Sequence, residues 1–219
     1  MSQHNQEWEL HGQQPVLSAG QPIGRARAAM IMLHGRGAGA QDILGLADAL
    51  GHPGFAYLAP EAAGGSWYPY GFMSPIEHNE PYLSSALETL AGLLQNLEEA
   101  GMGANRTMLL GFSQGACLAL EFAARHARRY GGVAALSGGL IGPEGTSWDS
   151  PRSLSGTPIL LACSDHDPHI PRDRVLESAD VLRRMGGNVT ARLYPELGHT
   201  INEDELRRVR AMMDELTPG

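Results

Sequence analysis

The chain has 219 residues, of which 42% are hydrophobic and 18% are charged. This composition is typical of a globular protein with a full hydrophobic core, and one domain over residues 1–219 is expected. The formal net charge of −8 comes from 24 acidic and 16 basic side chains. Because no block of Lys or Arg could follow a phosphate backbone or coat an anionic membrane, we expect no nucleic-acid partner.

The sequence also lacks the features of a membrane or secreted protein. No stretch approaches the roughly 20 apolar residues that span a bilayer, and residues 1–10 lack the basic and then apolar pattern of a signal peptide. Cys117 and Cys163 lie within apolar runs without CxxC spacing, which is typical of buried thiols in a reducing compartment. We therefore expect a cytoplasmic protein with no stable membrane insertion.

Short apolar runs alternate with longer stretches of helical period. This alternation predicts an α/β fold, with a mostly parallel central sheet and helices on both faces. A weak strand is predicted near Val16. The other predicted strands are residues 28–33, 55–60, 107–111, 133–136, 158–163 and 189–194.

Four helices are predicted between and after these strands. Their expected ranges are residues 81–101, 116–130, 173–186 and a last helix from Asn202 onwards. Each has apolar residues at helical spacing, and glycines follow the first three. The long irregular stretches at 61–80 and 137–157 are predicted to be functional loops, because long loops in a compact domain often carry function.

A Gly-x-Ser-x-Gly motif lies where an apolar strand gives way to a helix, at residues 111–115. A sharp strand-to-helix turn crowds the backbone, so the positions two before and two after the serine must be nearly free of side chain. Ser113 is therefore predicted to be an exposed nucleophile. The backbone N–H of Gln114, at the start of the helix, is predicted to donate to an oxyanion.

The strand 28–33 runs into a second glycine-bearing loop, His34-Gly35-Arg36-Gly37. The backbone N–H of Arg36 is predicted to be the other oxyanion donor, since the flanking glycines let that peptide approach a substrate. His34 is interpreted as a loop histidine held by hydrogen bonds, because it precedes the serine and the base comes last in this kind of fold.

A serine nucleophile needs a base, and the base needs a carboxylate to orient it. Asp165 and Asp167 both follow the strand 158–163, and the residues alone leave either as the acid. His199 follows the final strand and is predicted to be the base. His166 and His169 adjoin the aspartates but lack a metal-binding spacing, so no metal site is predicted.

Five segments together resemble the phospholipase/carboxylesterase family, which is related to acyl-protein thioesterases and lysophospholipases. They are His34-Gly35-Arg36-Gly37, Gly111-Phe112-Ser113-Gln114-Gly115, Ala135-Leu136-Ser137-Gly138-Gly139-Leu140, Asp167-Pro168-His169-Ile170-Pro171 and Gly198-His199-Thr200-Ile201. The resemblance covers about residues 30–216. It implies an α/β-hydrolase fold with an eight-strand type of sheet, hydrolysis without a cofactor, frequent homodimers, and Asp167 as the acid.

The residues and the resemblance together predict a serine carboxylesterase acting on small to medium esters. An apolar acyl pocket is predicted from residues in the long loops and at strand ends. These residues are Trp67, Tyr68, Phe72, Met73, Leu140, Ile141 and Ile170. The Arg36 side chain is interpreted either as a solvated loop arginine or as a group that faces a substrate carboxylate or aryl ring.

Two alternatives remain open. A thioesterase or lysophospholipase would use the same three residues, but members acting on long acyl chains usually have an apolar residue in place of Arg36, an aspartate in place of Ala38, and a different segment in place of Trp67-Tyr68-Pro69. These departures favour a small-molecule esterase. A non-catalytic binding module on the same fold is the alternative from another class.

Overall fold

A computed structural model describes residues 10–148 and 150–218 of the chain. Its strands form one sheet in the order β1-β3-β2-β4-β5-β6-β7, in which only β1 is antiparallel to its neighbour. The strands are β1 (Val16–Gly20), β2 (Ala28–Leu33), β3 (Phe55–Pro60), β4 (Thr107–Phe112), β5 (Gly132–Leu136), β6 (Pro158–Ser164) and β7 (Asn188–Tyr194). The mostly parallel sheet is confirmed. The described residues contribute seven strands to it, one fewer than the resemblance implies.

Helices cover both faces of this sheet. They are α1 (Ala40–Leu44), α2 (Leu46–Leu50), α3 (Tyr82–Glu99), α4 (Gln114–Arg125), α5 (Arg172–Arg184) and α6 (Glu203–Leu216). Apolar residues of α3, α4 and α5 pack on one face, and those of α1, α2 and α6 pack on the other. Among the described helices, none is both long and apolar enough to cross a membrane.

The five central strands, β2 to β6, are largely apolar because they are buried on both faces. In β4, Leu109 points into the core beneath α3, α4 and α5, whereas Met108 and Leu110 point into the core beneath α1 and α6. Successive side chains of a strand alternate between faces. A continuous apolar run is therefore what a central parallel strand requires.

One predicted helix is shorter than expected, and two short helices have no counterpart among the predictions. The helix predicted over 116–130 spans Gln114–Arg125, because His126 leaves the helical region at φ −109° and ψ 44°. The chain turns there so that Tyr130 can be buried and its N–H can donate to Thr157 Oγ1 at 2.9 Å. The short helices α1 and α2 were not predicted, since each has five residues and too little sequence to show a helical period.

The turn between β4 and α4 packs against the end of β2. A side chain at Gly115 would collide with the carbonyl oxygen of Leu33, and one at Gly111 would collide with the backbone of Gly115. Both positions therefore require glycine for space. Ser113, between them, has a strained backbone with φ 55°.

The long loop after β3 is held by a buried histidine from the start of the chain. Ala63 N–H donates to Nδ1 of His11 at 3.0 Å, so the ring proton lies on Nε2, which donates to the Trp67 carbonyl at 3.1 Å. Burial lowers the pKa of His11 from its ordinary value of 6.5. The neutral ring is thus the form that ties residues 63–67 in place.

We expect Gly115→Ala to lower the free energy of unfolding by about 3 kcal/mol, because the added methyl overpacks against backbone that cannot move aside. Gly92→Ala in α3 is the matched control, since nothing lies within 4 Å of the added methyl. It should raise stability by about 0.5 to 1 kcal/mol. Urea denaturation checks both, and equal stabilities would contradict the packing argument.

We expect the stability advantage of the wild type over His11→Asn to shrink as the pH falls below 6.5, the ordinary pKa of histidine. Because the folded-state pKa lies below the unfolded-state pKa, the unfolded chain binds this proton more readily, and acid costs stability. Urea denaturation of both proteins between pH 8 and pH 5 measures the difference. A constant difference over that range would show that His11 does not titrate with unfolding.

Candidate active site

The predicted site residues follow four strands at one edge of the sheet. The loop from His34 follows β2, Ser113 follows β4, Asp167 lies after β6, and His199 lies after β7. These strands are parallel to one another, so their carboxyl ends lie on the same side. Ligand sites of open α/β sheets form outside this edge.

A chain of hydrogen bonds joins three of these side chains. Ser113 Oγ lies 2.8 Å from Nε2 of His199, and Nδ1 of His199 lies 2.7 Å from Oδ2 of Asp167. The carboxylate is buried, and the imidazole is 19% exposed. The imidazole is therefore oriented with one nitrogen on the carboxylate and the other available to the serine hydroxyl.

Asp167 is held as a carboxylate by several donors. Its Oδ1 accepts from the backbone N–H groups of His169 at 2.8 Å and Ile170 at 3.0 Å. Burial alone would raise the pKa of Asp167, but the hydrogen bonds from His199 and these two amides outweigh it and hold the pKa below its usual range. The group remains charged where it faces the imidazole.

A buried thiol lies behind the same carboxylate. Cys163 Sγ is 3.7 Å from Oδ2 of Asp167. Burial, with the nearby charge of Asp167, raises the pKa of Cys163 to about 12, so the thiol stays protonated and donates. Both Cys163 and Cys117 are buried free thiols, as predicted.

The other aspartate of this loop, Asp165, has partners other than His199. Asp165 Oδ1 accepts from the Glu196 N–H at 2.9 Å and lies 2.8 Å from Nδ1 of the exposed His166. His169 instead packs edge-on against His199, with ring centroids 4.8 Å apart. His166 and His169 therefore have different partners. In residues 10–148 and 150–218, no three His, Cys, Asp or Glu side chains gather as a metal site would require.

Two backbone N–H groups near Ser113 lack acceptors. Within the described residues, neither the Arg36 N–H nor the Gln114 N–H donates a hydrogen bond. Gly35, next to Arg36, is so close to the serine that an added Cβ would lie 3.4 Å from Ser113 Cβ. Residues 35–38 form a turn closed by Ala38 N–H donating to Gly35 O at 3.2 Å. Gly37 has φ 76° in this turn, a type II geometry that leaves the Arg36 N–H outside the closing bond.

The Arg36 side chain follows neither of its sequence interpretations completely. It is exposed, but Nη1 donates to the Pro69 carbonyl and Nη2 to the Tyr70 carbonyl, both at 2.7 Å. The guanidinium also lies 5.9 Å from the centroid of the Tyr68 ring. Arg36 therefore ties the turn beside Ser113 to the loop across the cavity.

A cavity of about 420 Å³ opens at Ser113 and His199. Three of the predicted pocket residues, Tyr68, Phe72 and Ile170, line it. Its other walls are Gly35, Arg36, Ala38, Gly71, Phe112, Gln114, Cys117 and His169. A larger cleft of about 750 Å³ lies between α5 and residues 145–148 and 150–153, and none of Ser113, His199 and Asp167 lines it.

The remaining pocket predictions, Trp67, Met73, Leu140 and Ile141, lie outside the wall of this cavity. Trp67 is buried beneath it, where its indole N–H donates to the His34 carbonyl at 2.9 Å. Leu140 and Ile141 are drawn into the core by N–H bonds to Ser178 Oγ and Glu121 Oε2, both at 2.9 Å. Met73 is 37% exposed on the surface.

The sequence alone does not predict the role of the Gln114 side chain. Its Oε1 accepts from the Trp67 N–H at 3.0 Å, and its Nε2 donates to the Tyr68 carbonyl at 2.8 Å. Gln114 thus positions the wall of the cavity as well as carrying a free N–H. Its place within the serine motif was the only sequence signal, because the partners are more than 40 residues away.

Comparison with known proteins matches residues 16–216 to the family model for Phospholipase/Carboxylesterase. Acyl-protein thioesterase 1 of Gibberella zeae is 30% identical over 129 residues, which cover 58% of this chain and 54% of that protein. Lysophospholipase-like protein 1 of Mus musculus is 28% identical over 149 residues, covering 65% of this chain and 60% of that protein. The match thus spans little more than half the length of these relatives.

Solved structures agree over more of the chain. A phospholipase/carboxylesterase from Dyadobacter fermentans is 40% identical, with a TM-score of 0.88 over 91% of this chain and 96% of that one. Acyl-protein thioesterase 2 of Zea mays is similar in fold, with 22% identity and a TM-score of 0.75 over 93% of this chain and 99% of that one. The predicted α/β-hydrolase fold is confirmed. The chain therefore belongs to the phospholipase/carboxylesterase family.

Proposed function

We propose that the protein is a serine carboxylesterase that hydrolyses small to medium carboxylic esters through an acyl-enzyme. The observation that carries the proposal is the series of hydrogen bonds from Ser113 through His199 to Asp167, in which Ser113 and His199 also line a cavity. A serine hydroxyl is a weak nucleophile until a base can remove its proton. His199 supplies that base, and Asp167 supplies the carboxylate that orients it.

In the proposed reaction, Ser113 Oγ bonds to the ester carbonyl carbon while its proton passes to Nε2 of His199. The C–O bond to the alcohol then breaks, and the same proton passes to the leaving oxygen. Water repeats these steps on the acyl-enzyme, with His199 again as the base, and releases the acid. Asp167 stays ionised throughout and stabilises the imidazolium.

The tetrahedral intermediate carries a negative oxygen, which needs donors that are already in place. The unpaired N–H groups of Arg36 and Gln114 are proposed to fill this role. Gln114 is the first residue of α4, where the helix dipole also favours negative charge. Losing one such donor typically lowers kcat by about 10² to 10³.

The cavity supports a substrate of modest size. Its volume of about 420 Å³ lies at the lower end of the range for small-molecule sites, roughly 300 to 1,000 Å³. Tyr68, Phe72 and Ile170 give it apolar walls for the acyl or alcohol group. Among the residues that line the cavity, Arg36 is the only Arg, and none is Lys, Asp or Glu.

A thioesterase is the second candidate function. The names of the relatives in Gibberella zeae and Zea mays support it, and a thioester would react at the same three side chains. The difference lies in the leaving group and the acyl length rather than in the chemistry of the site. An ester and a thioester of the same acyl group therefore separate the two candidates.

The proposal is tested with p-nitrophenyl esters from acetate to palmitate, alongside matched thioesters. We expect kcat/KM to be highest for short and medium acyl esters. Ser113→Ala should abolish turnover and labelling by a fluorophosphonate. Higher kcat/KM for the matched thioesters, or for palmitate, would favour the second candidate. No turnover and no labelling of Ser113 in the folded wild type would instead favour a non-catalytic binding module.

Replacing each aspartate by asparagine tests which one orients the base. Asp167→Asn should lower kcat/KM by about 10³ to 10⁴, because an amide at this position no longer favours the productive tautomer of His199. Asp165→Asn is the matched control in the same loop and should leave kcat/KM close to the wild-type value. Comparable losses in the two variants would rule out the assignment of Asp167.

A further inference from the structure

We infer that His34 is a positioning residue that aims the Arg36 N–H at the oxyanion, an inference that rests on the proposed function. Nε2 of His34 accepts from the Ala62 N–H at 3.0 Å. The ring proton therefore lies on Nδ1, which is 2.8 Å from the Gly35 carbonyl oxygen and donates to it. The backbone carbonyl thus has a defined side-chain partner.

This contact sets the direction of a different group. A trans peptide is planar, so its C=O and its N–H point in opposite directions. The carbonyl of Gly35 and the N–H of Arg36 belong to the same peptide. Holding the carbonyl towards His34 and the Ala38 N–H therefore turns the Arg36 N–H away from them. That N–H has no acceptor within the described chain.

The imidazole of His34 is held firmly enough to serve as a reference point. The residue is 1% exposed, and the centroid of its ring lies 5.0 Å from that of Trp67. The Trp67 indole N–H donates to the His34 carbonyl at 2.9 Å. Both ring nitrogens are occupied by backbone partners, so His34 is not available as a base, in agreement with its interpretation as a loop histidine.

The same hydrogen bond also affects the strength of the donor. A donor on a carbonyl polarises the peptide and strengthens the bond that the opposite N–H can form. In a buried site this cooperative effect adds to orientation. The Arg36 N–H is thereby both aimed and polarised before a substrate arrives, which is the preorganisation that stabilises a developing oxyanion.

Two conservative variants distinguish the role of Nδ1 from the role of Nε2 in the His34 ring. His34→Asn places an amide N–H near the Nδ1 position, where it can still donate to Gly35, but leaves the Ala62 N–H without a partner. His34→Gln places an oxygen near the Nε2 position for Ala62 but removes the donor to Gly35. We expect His34→Gln to lower kcat about 10- to 100-fold with little change in KM, because the lost interaction belongs to the transition state. His34→Asn should keep most of the wild-type kcat.

His11 provides the matched control. It supports the same loop through Ala63 and Trp67 but does not touch Gly35. His11→Asn and His11→Gln should therefore have equal values of kcat per active site, counted by fluorophosphonate titration. Affinity for a trifluoromethyl ketone, which forms an oxyanion on Ser113, should fall in His34→Gln in parallel with kcat/KM and stay close to the wild-type value in His34→Asn.

Equal losses of kcat in the two His34 variants, or a loss confined to KM, would overturn the inference while leaving the proposed function intact. Absence of ester hydrolysis and of Ser113 labelling in the wild type would overturn both. If neither His34 variant folds, a crystal structure of the phosphonylated wild type decides. An Arg36 N–H bound to the phosphonyl oxygen, with the Gly35 carbonyl on His34, would support the inference. An Arg36 N–H turned away would overturn it.

Discussion

The close packing of the β4–α4 turn against the end of β2 is the constraint on which the rest of the site depends. Gly111 and Gly115 leave no room for side chains, and Gly115 lies directly against the carbonyl of Leu33. That contact brings Ser113, with its strained φ of 55°, beside the turn that contains Gly35 and Arg36. A hydroxyl and two free N–H groups thereby meet where two separate strands end.

The electrostatics of the site follow from what surrounds each polar group. Asp167 is buried but receives donors from His199, His169 and Ile170, which keep its pKa low. His199 lies between that carboxylate and the hydroxyl, with Phe112 packed at 5.0 Å and His169 at 4.8 Å from its ring. The imidazole is therefore confined by packing as well as by hydrogen bonds. In the proposed reaction, this confinement lets His199 transfer a proton without reorganisation.

The wall of the cavity is an irregular loop made rigid by side chains with defined donor and acceptor roles. His11 and His34 each accept a backbone N–H of this loop, Gln114 bonds it at Trp67 and Tyr68, and Arg36 holds two of its carbonyls. Buried polar groups that are fully paired fix a single geometry, because any other arrangement would leave them unsatisfied. The loop can thus carry Tyr68 and Phe72 at set positions without regular secondary structure.

Local sequence determined the strands, the longer helices and the strand ends that carry the hydroxyl, the carboxylate and the imidazole. Apolar runs and helical spacing depend on neighbouring residues, and the glycines around Ser113 reveal a steric need of the turn itself.

Only the tertiary structure decided where the side chains of Trp67, Leu140 and Ile141 lie. All three were predicted in the pocket wall, but their backbone or side-chain N–H groups find acceptors in distant elements, and these bonds draw them into the core. The contacts of His34, Arg36 and Gln114 with the loop after β3 were likewise decided only by the tertiary structure. A sequence shows that a side chain can donate or accept, but which partner it meets depends on how segments dozens of residues apart are packed.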